Sequence, residues 1–161
     1  MKLGIFGGSF NPVHAGHVGL AERAIEELGL DRLLAVPAAC NPFKTGQPGF
    51  LDDATRLALV RKAFAGNPKV AVDDREIRKG GVSYAIDTVR EVKSENPDAE
   101  LYFIVGEDSV AGLPKWKDYP ELVKLCRFVA YPRTRESSTE IRRRIKAGES
   151  VADMMPENFK E

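Results

Sequence analysis

Lys2-Leu-Gly-Ile-Phe6 runs straight into Gly7-Gly-Ser-Phe-Asn-Pro-Val-His14-Ala-Gly-His17, and from His17 the apolar positions Val18, Ala21, Ala24, Ile25 and Leu28 recur until Gly29. The opening run is short, continuous and apolar, as a strand buried on both faces is, and the later spacing has the period of an amphipathic helix ended by glycine. The N-terminal region therefore reads as strand, loop, helix.

The alternation continues outward. Arg32-Leu-Leu-Ala-Val-Pro37 is the next apolar run, and a Pro/Gly-rich loop follows through Gly49. Asp52 stands where it can cap a helix carrying Leu57, Val60 and Phe64, which ends near Gly66-Asn67-Pro68. Lys69-Val-Ala-Val-Asp73 is a third strand, and after Gly80-Gly81 a helix from about Ser83 buries Ile86 and Val89 before Asn96-Pro97. Leu101-Tyr-Phe-Ile-Val105 and Arg127-Phe-Val-Ala-Tyr131 are the fourth and fifth strands, with Pro120 in the first turn of a short helix between them. Residues 139–147 form a last helix, with Ile141 and Ile145 one turn apart and Gly148 closing it. Apolar strands each followed by a helical pattern predict an α/β domain: a doubly wound, Rossmann-like parallel sheet with helices on both faces. Such sheets bind ligands outside the C-terminal ends of their strands, so the loops after Phe6, Pro37, Val105 and Tyr131 are the places to look.

A chain of 161 residues with 43% hydrophobic side chains can build one domain with a proper core, so residues 1–161 are read as a single domain. Its 24 Lys and Arg balance 24 Asp and Glu, which leaves no net field to hold a nucleic acid or an anionic membrane. The basic run Arg142-Arg-Arg144 does not change this, because Ile141 and Ile145 give the same helix a core face. Cys40 and Cys126 form no CxxC motif and make a poor disulfide framework, which fits a reduced compartment. No stretch approaches the roughly 18 apolar residues of a membrane span, and the apolar N-terminus stops at Gly7-Gly8 without a signal-peptide body. The expected location is cytoplasmic.

The first loop joins a strand to a helix start, where free backbone N–H groups and the helix dipole attract anions and two glycines let backbone approach a phosphate. The dinucleotide fingerprint GxGxxG and the Walker pattern GxxxxGK[ST] are both absent there. The loop instead offers His14 and His17, the only two histidines of the chain, with Gly16 between them. Imidazoles so placed can donate to phosphate oxygens whose charge grows during reaction. Two other readings compete: a zinc site, for which no third ligand of the usual spacing stands nearby, and ordinary surface histidines.

Gly7-Gly-Ser-Phe-Asn-Pro-Val-His-Ala-Gly-His17 resembles the GGSFxPxHxGH signature of nucleotidylyltransferases, and Ser137-Ser-Thr-Glu-Ile-Arg142 resembles their C-terminal SSTxIR signature. Between them, Ser83-Tyr-Ala-Ile-Asp-Thr-Val89, Val105-Gly-Glu-Asp-Ser109 and Leu113-Pro-Lys-Trp116 are similar to bacterial nicotinate-nucleotide adenylyltransferases, so the resemblance covers nearly the whole chain. It implies transfer of the adenylyl group of ATP to nicotinate mononucleotide, with Mg²⁺ arriving on the nucleotide, release of pyrophosphate and formation of deamido-NAD. Two departures stand out. The family carries a further strand and helix where Arg135 and Glu136 are adjacent here, so the domain reads as shortened at that junction, by a trimmed fold or a missing segment. Ala85 also stands where the family has a hydroxyl-bearing residue.

The resemblance implies a role for each residue. His14, His17 and Arg142 would be the catalytic groups, with His17 meeting the charge that shifts onto pyrophosphate. Gly7, Gly8, Ser9, Phe10, Gly106, Asp108, Ser138 and Thr139 would line the ATP site with them. Lys44, Tyr84, Ala85 and Trp116 would hold the pyridine nucleotide. Each has a plainer reading: Lys44 as a solvated loop lysine, Ser138 as a helix cap, Asp108 as a turn cap, and Tyr84 or Trp116 as core aromatics. No residue need abstract a proton, since the attacking group is already a phosphate anion; the site must align three phosphates and neutralise charge. Phosphopantetheine adenylyltransferase and a nucleotide-binding module without turnover are the alternatives, and a homo-oligomer is compatible with the sequence.

Overall fold

The computed structural model describes residues 1–39 and 51–132, and Arg143. Five strands, β1 (Lys2–Gly8), β2 (Arg32–Pro37), β3 (Val70–Val72), β4 (Glu100–Gly106) and β5 (Arg127–Tyr131), form one sheet in the order β3-β2-β1-β4-β5. Every neighbouring pair is parallel. The connections are α1 (Ala15–Leu28), α2 (Asp53–Phe64), α3 (Arg75–Lys79), α4 (Ala85–Glu95) and α5 (Tyr119–Leu125), with a 3₁₀ helix over Glu107–Lys115.

Side chains alternate along each strand and sort into two cores. Phe6, Leu33, Ala35, Tyr102 and Ile104 pack with Ala21, Ala24 and Ile25 of α1 and Val60 and Phe64 of α2. Leu3, Ile5, Val36, Leu101, Phe103 and Val105 pack on the other face with Ile86, Val89 and Val92 of α4 and Leu122 of α5. The doubly wound sheet is as the strand patterns predict. Gly4 leaves room for a close approach: a Cβ there would lie 2.7 Å from Leu30 Cδ1 and would force that methyl to shift, and Leu30 closes over β1 directly after the left-handed cap at Gly29 (φ 64°).

Three local differences have physical causes. The first helix begins at Ala15, earlier than its apolar period suggests, because His14 takes the cap position. α3 and the 3₁₀ helix show no period in the sequence, since five and nine residues are too few for one. The third strand is three residues long and only half-buried, as suits the edge of the sheet. Asp52 does cap α2, accepting the Thr55 N–H at 2.7 Å, and Pro120 does sit in the first turn of α5. The helix expected over residues 139–147 lies outside the described residues apart from Arg143, which is helical.

The strand order reverses between β1 and β4, and this switch point positions the site. Phe6 pairs with Ile104, so the loops after β1 and β4 leave the same edge of the sheet side by side. Helices that join parallel strands run back against them, which brings the N-terminal ends of α1 and α4 to that edge as well.

Candidate active site

The loop after β1 is packed from within. Phe10, Asn11, Val13 and His14 are all buried, and Phe10 holds a positive φ of 47°. The carbonyls that would repel a phosphate are taken up by internal donors: Gly8 O accepts from Ala38 N–H at 2.8 Å, and Ser9 O from the Arg56 guanidinium at 2.6 Å. Asn11 Oδ1 accepts the Leu51 N–H at 2.9 Å, so the start of α2 is laced to this loop twice.

His14 and His17 occupy the cap and third positions of α1, and their rings stack at 3.7 Å between centroids. The His14 backbone N–H donates to His17 Nδ1 at 3.0 Å. That bond decides the tautomer: an Nδ1 that accepts has no proton, so neutral His17 carries its hydrogen on Nε2. Burial, and then the neighbouring His14, hold His17 well below the ordinary imidazole pKa of 6.5. Phe10 closes one side, its ring 4.8 Å from that of His17. The result is a neutral N–H donor, oriented before any ligand arrives.

Stability should carry the mark of this histidine. Its folded pKa lies below the unfolded value of 6.5, so between the two the unfolded chain binds more protons. The contribution is complete above the unfolded value and is lost as pH falls through 6.5 toward the folded value. Melting temperature followed from pH 8 to pH 5 should therefore fall more steeply for the parent than for His17→Gln, and parallel curves would contradict the burial of this ring.

Gly106 ends β4, pairs with Tyr131 and opens the 3₁₀ helix, which contains the backbone of Asp108. A cleft of about 220 Å³ opens beside the first turns of α1, between Gly16, Gly19 and Tyr131. Tyr84 caps α4 and is 43% exposed, and Lys117 Nζ lies 4.6 Å over its ring. The structure thus brings Tyr84 and Ala85 close to the segment that carries Trp116. Trp116 itself is half-buried at the end of the 3₁₀ helix and meets Phe103 and Phe128 edge to face at 5.7 and 5.9 Å. It is packed against the core on one side. Lys44, Ser138, Thr139 and Arg142 lie outside the described residues.

Two features escape a reading of the sequence. Arg56 is almost fully buried, and the available signal was its place on the apolar stripe of α2, with Val60 and Phe64 four and eight residues on. The second is the fastening of α3 to α4, which holds the connection leading to Tyr84. Arg75 bridges Asp73 and Glu95, Lys79 pairs with Glu91, and Thr88 donates to Glu76 at 2.5 Å, where burial pushes the Glu76 carboxyl up. Cys126 is buried and donates to Leu122 O; burial pushes its thiol up to about 11, which makes it inert.

An all-parallel sheet whose switch point carries a loop of glycines and histidines at a helix start defines a doubly wound α/β protein. The chain belongs to the cytidylyltransferase-like family, whose model matches residues 5–156. Among curated relatives, a "Probable nicotinate-nucleotide adenylyltransferase" of a Geobacter species is 45% identical over 141 residues, 88% of this chain and 65% of its own length. One of the same name from Gemmatimonas aurantiaca is 38% identical over 185 residues, covering 98% of this chain and 87% of its own. The chain thus spans slightly less than two thirds of the Geobacter relative. Among solved structures, a "Putative Nicotinate-nucleotide Adenylyltransferase" from Vibrio parahaemolyticus superposes with a TM-score of 0.79 at 23% identity, covering 97% of this chain and 88% of that one. That likeness concerns the fold.

Proposed function

We propose that this chain transfers the adenylyl group of Mg-ATP to nicotinate mononucleotide. An oxygen of the acceptor phosphate attacks the α-phosphorus, the bond to the bridging oxygen of the β-phosphate breaks, and pyrophosphate leaves with deamido-NAD as product. The observation that carries the reading is the His14 N–H bond to His17 Nδ1, which leaves Nε2–H to donate, in a glycine-bearing loop at the switch point. The shared name of the curated relatives supports the choice of acceptor.

Negative charge moves onto the leaving pyrophosphate as the bond breaks, and in this reading the Nε2–H of His17 donates to the oxygen on which that charge grows. A neutral donor serves this without a proton changing hands. His14 holds the tautomer and shares the phosphate contact, and Gly7, Gly8, Ser9 and Phe10 supply the surrounding backbone. Gly106, Asp108, Ser138, Thr139 and Arg142 complete the ATP side. Lys44 meets the acceptor phosphate, while Tyr84, Ala85 and Trp116 form the pyridine side. Among the described residues no group of three His, Cys, Asp or Glu could hold a metal, and the loop presents imidazole and N–H groups where Mg²⁺ needs oxygens. The described residues do not fit a resident Mg²⁺, and the ion belongs to the substrate Mg-ATP. The reaction belongs in the cytoplasm with its substrates, and no described helix is long and apolar enough to cross a membrane. We also read the chain as one domain shortened at the Arg135-Glu136 junction, supported by an alignment of 185 residues against a chain of 161.

The test is kcat/KM with three acceptors at fixed Mg-ATP, read as pyrophosphate release. Nicotinate mononucleotide should lead, nicotinamide mononucleotide should follow, and phosphopantetheine should be inert. A carboxylate facing backbone N–H donors is replaced in the amide by an NH₂ that sets donor against donor, and a closed site penalises an unpaired polar group heavily. Ala85 should narrow the preference without reversing it, because main-chain donors remain. A higher value for phosphopantetheine than for either pyridine nucleotide would overturn the assignment, and nucleotide binding without pyrophosphate release would favour a module that does not turn over.

A further inference from the structure

We propose that Arg56 is a positioning residue for the ATP side of the site: by holding the Ser9 carbonyl, it sets the loop that carries His17. The inference rests on the function proposed above.

Arg56 is hard to explain as a device for stability. It is only 2% exposed, the largest of the fully buried side chains among the described residues. It also lies in the first turns of α2, where the helix dipole disfavours a cation. Removing a guanidinium from water is costly, and a buried ion pair is often no more stable than an apolar replacement. Its hydrogen bonds show what the arrangement does. One arm holds Asp53 Oδ1 at 2.5 Å, within its own helix. The other reaches across the fold to Ser9 O at 2.6 Å. Ser9 immediately precedes Phe10, the residue with positive φ, and the Phe10 ring packs against His17. A chain of contacts therefore runs from a buried cation through Ser9 and Phe10 to the imidazole. Asn11 adds the second lace to α2 through the Leu51 N–H. If the Ser9 carbonyl is released, the loop keeps its sequence but loses the orientation of its donors.

The experiment compares Arg56→Met, Arg56→Lys and a core control in the same helix, Val60→Ala. Arg56→Met should lower kcat/KM for ATP by about 10- to 100-fold, the scale of a misplacement near 1 Å, while KM for nicotinate mononucleotide changes less than about threefold. Lysine can reach only one of the two acceptors, so Arg56→Lys should lie between parent and Arg56→Met. Val60→Ala should lower the melting temperature without the ATP-specific loss. The His17 titration, read by NMR without substrates, should move toward 6.5 in Arg56→Met and stay in place in Val60→Ala. Should Arg56→Met fail to fold, Arg56→Lys carries both readouts alone. ATP parameters within twofold of the parent, or an equal loss for both substrates matched by Val60→Ala, would overturn the proposal. A parent that releases no pyrophosphate would sink the function proposed above, while the His17 titration would still report whether Arg56 sets the loop.

Discussion

Replacing His17 by alanine should cut kcat by about 10²–10³, the scale measured for one lost donor to a developing oxyanion, while much of the ATP affinity survives. The split follows from where the charge appears: bound ATP already has its negative charge spread over three phosphates, and the extra charge on pyrophosphate exists only as the bond breaks. The alanine variant alone would be ambiguous, because His17 also has a structural task. Its Nδ1 accepts the His14 N–H, and without it a buried donor loses its partner, a cost of about 1–3 kcal/mol. Glutamine resolves the two roles. At the third position of a helix, glutamine is the usual acceptor for the cap N–H, so His17→Gln keeps that bond while its amide N–H₂ no longer sits where the imidazole Nε2–H does. Both variants should lose turnover, and only His17→Ala should lose stability. Pyrophosphate release and thermal melting measure the two effects, and His17→Ala turning over within a few-fold of the parent would refute the donor role. The neutral state of the imidazole adds a constraint: kcat should not rise as pH falls through 6.5, because an imidazolium is not the working form.

The largest effect on stability should come from Ile5→Ala. Ile5 is fully buried in β1, the central strand, which is paired on both sides at once with Leu34 of β2 and Phe103 of β4. Its side chain belongs to the core beneath α4 and α5. Truncation removes three carbons from a space that strands on both sides keep from collapsing, so the loss should reach about 2–5 kcal/mol. For a chain of this length each kcal/mol moves the melting temperature by about 2–4 °C. Val123→Ala is the control, since Val123 is 47% exposed on α5 and should change stability by less than about 0.5 kcal/mol. Chemical denaturation of the three proteins checks this, and a loss under about 1 kcal/mol for Ile5→Ala would contradict the packing of the sheet.

The sequence by itself determined whatever is local along the chain. Strands buried on both faces must be continuous apolar runs, so β1, β2, β4 and β5 were legible within two residues at either end. Asp52 and Pro120 announced two helix starts, because a cap and a first-turn proline act within one turn. The reading of the first loop as a place for an anion likewise rests on local features, since that chemistry depends on neighbouring residues at a helix start. Only the tertiary structure decided what depends on partners far apart. The order β3-β2-β1-β4-β5 comes from pairings between strands, which no single strand encodes. Arg56 stands on the apolar stripe of α2, but its partner Ser9, 47 residues away, meets it only in the fold. Whether Trp116 packs on the core was open in the sequence, and the contacts of Phe103 and Phe128 with its edge exist only in the fold. The protonation of His17 belongs to the same class: burial and a backbone donor chose it, and both exist only once β1, its loop and α1 have packed together.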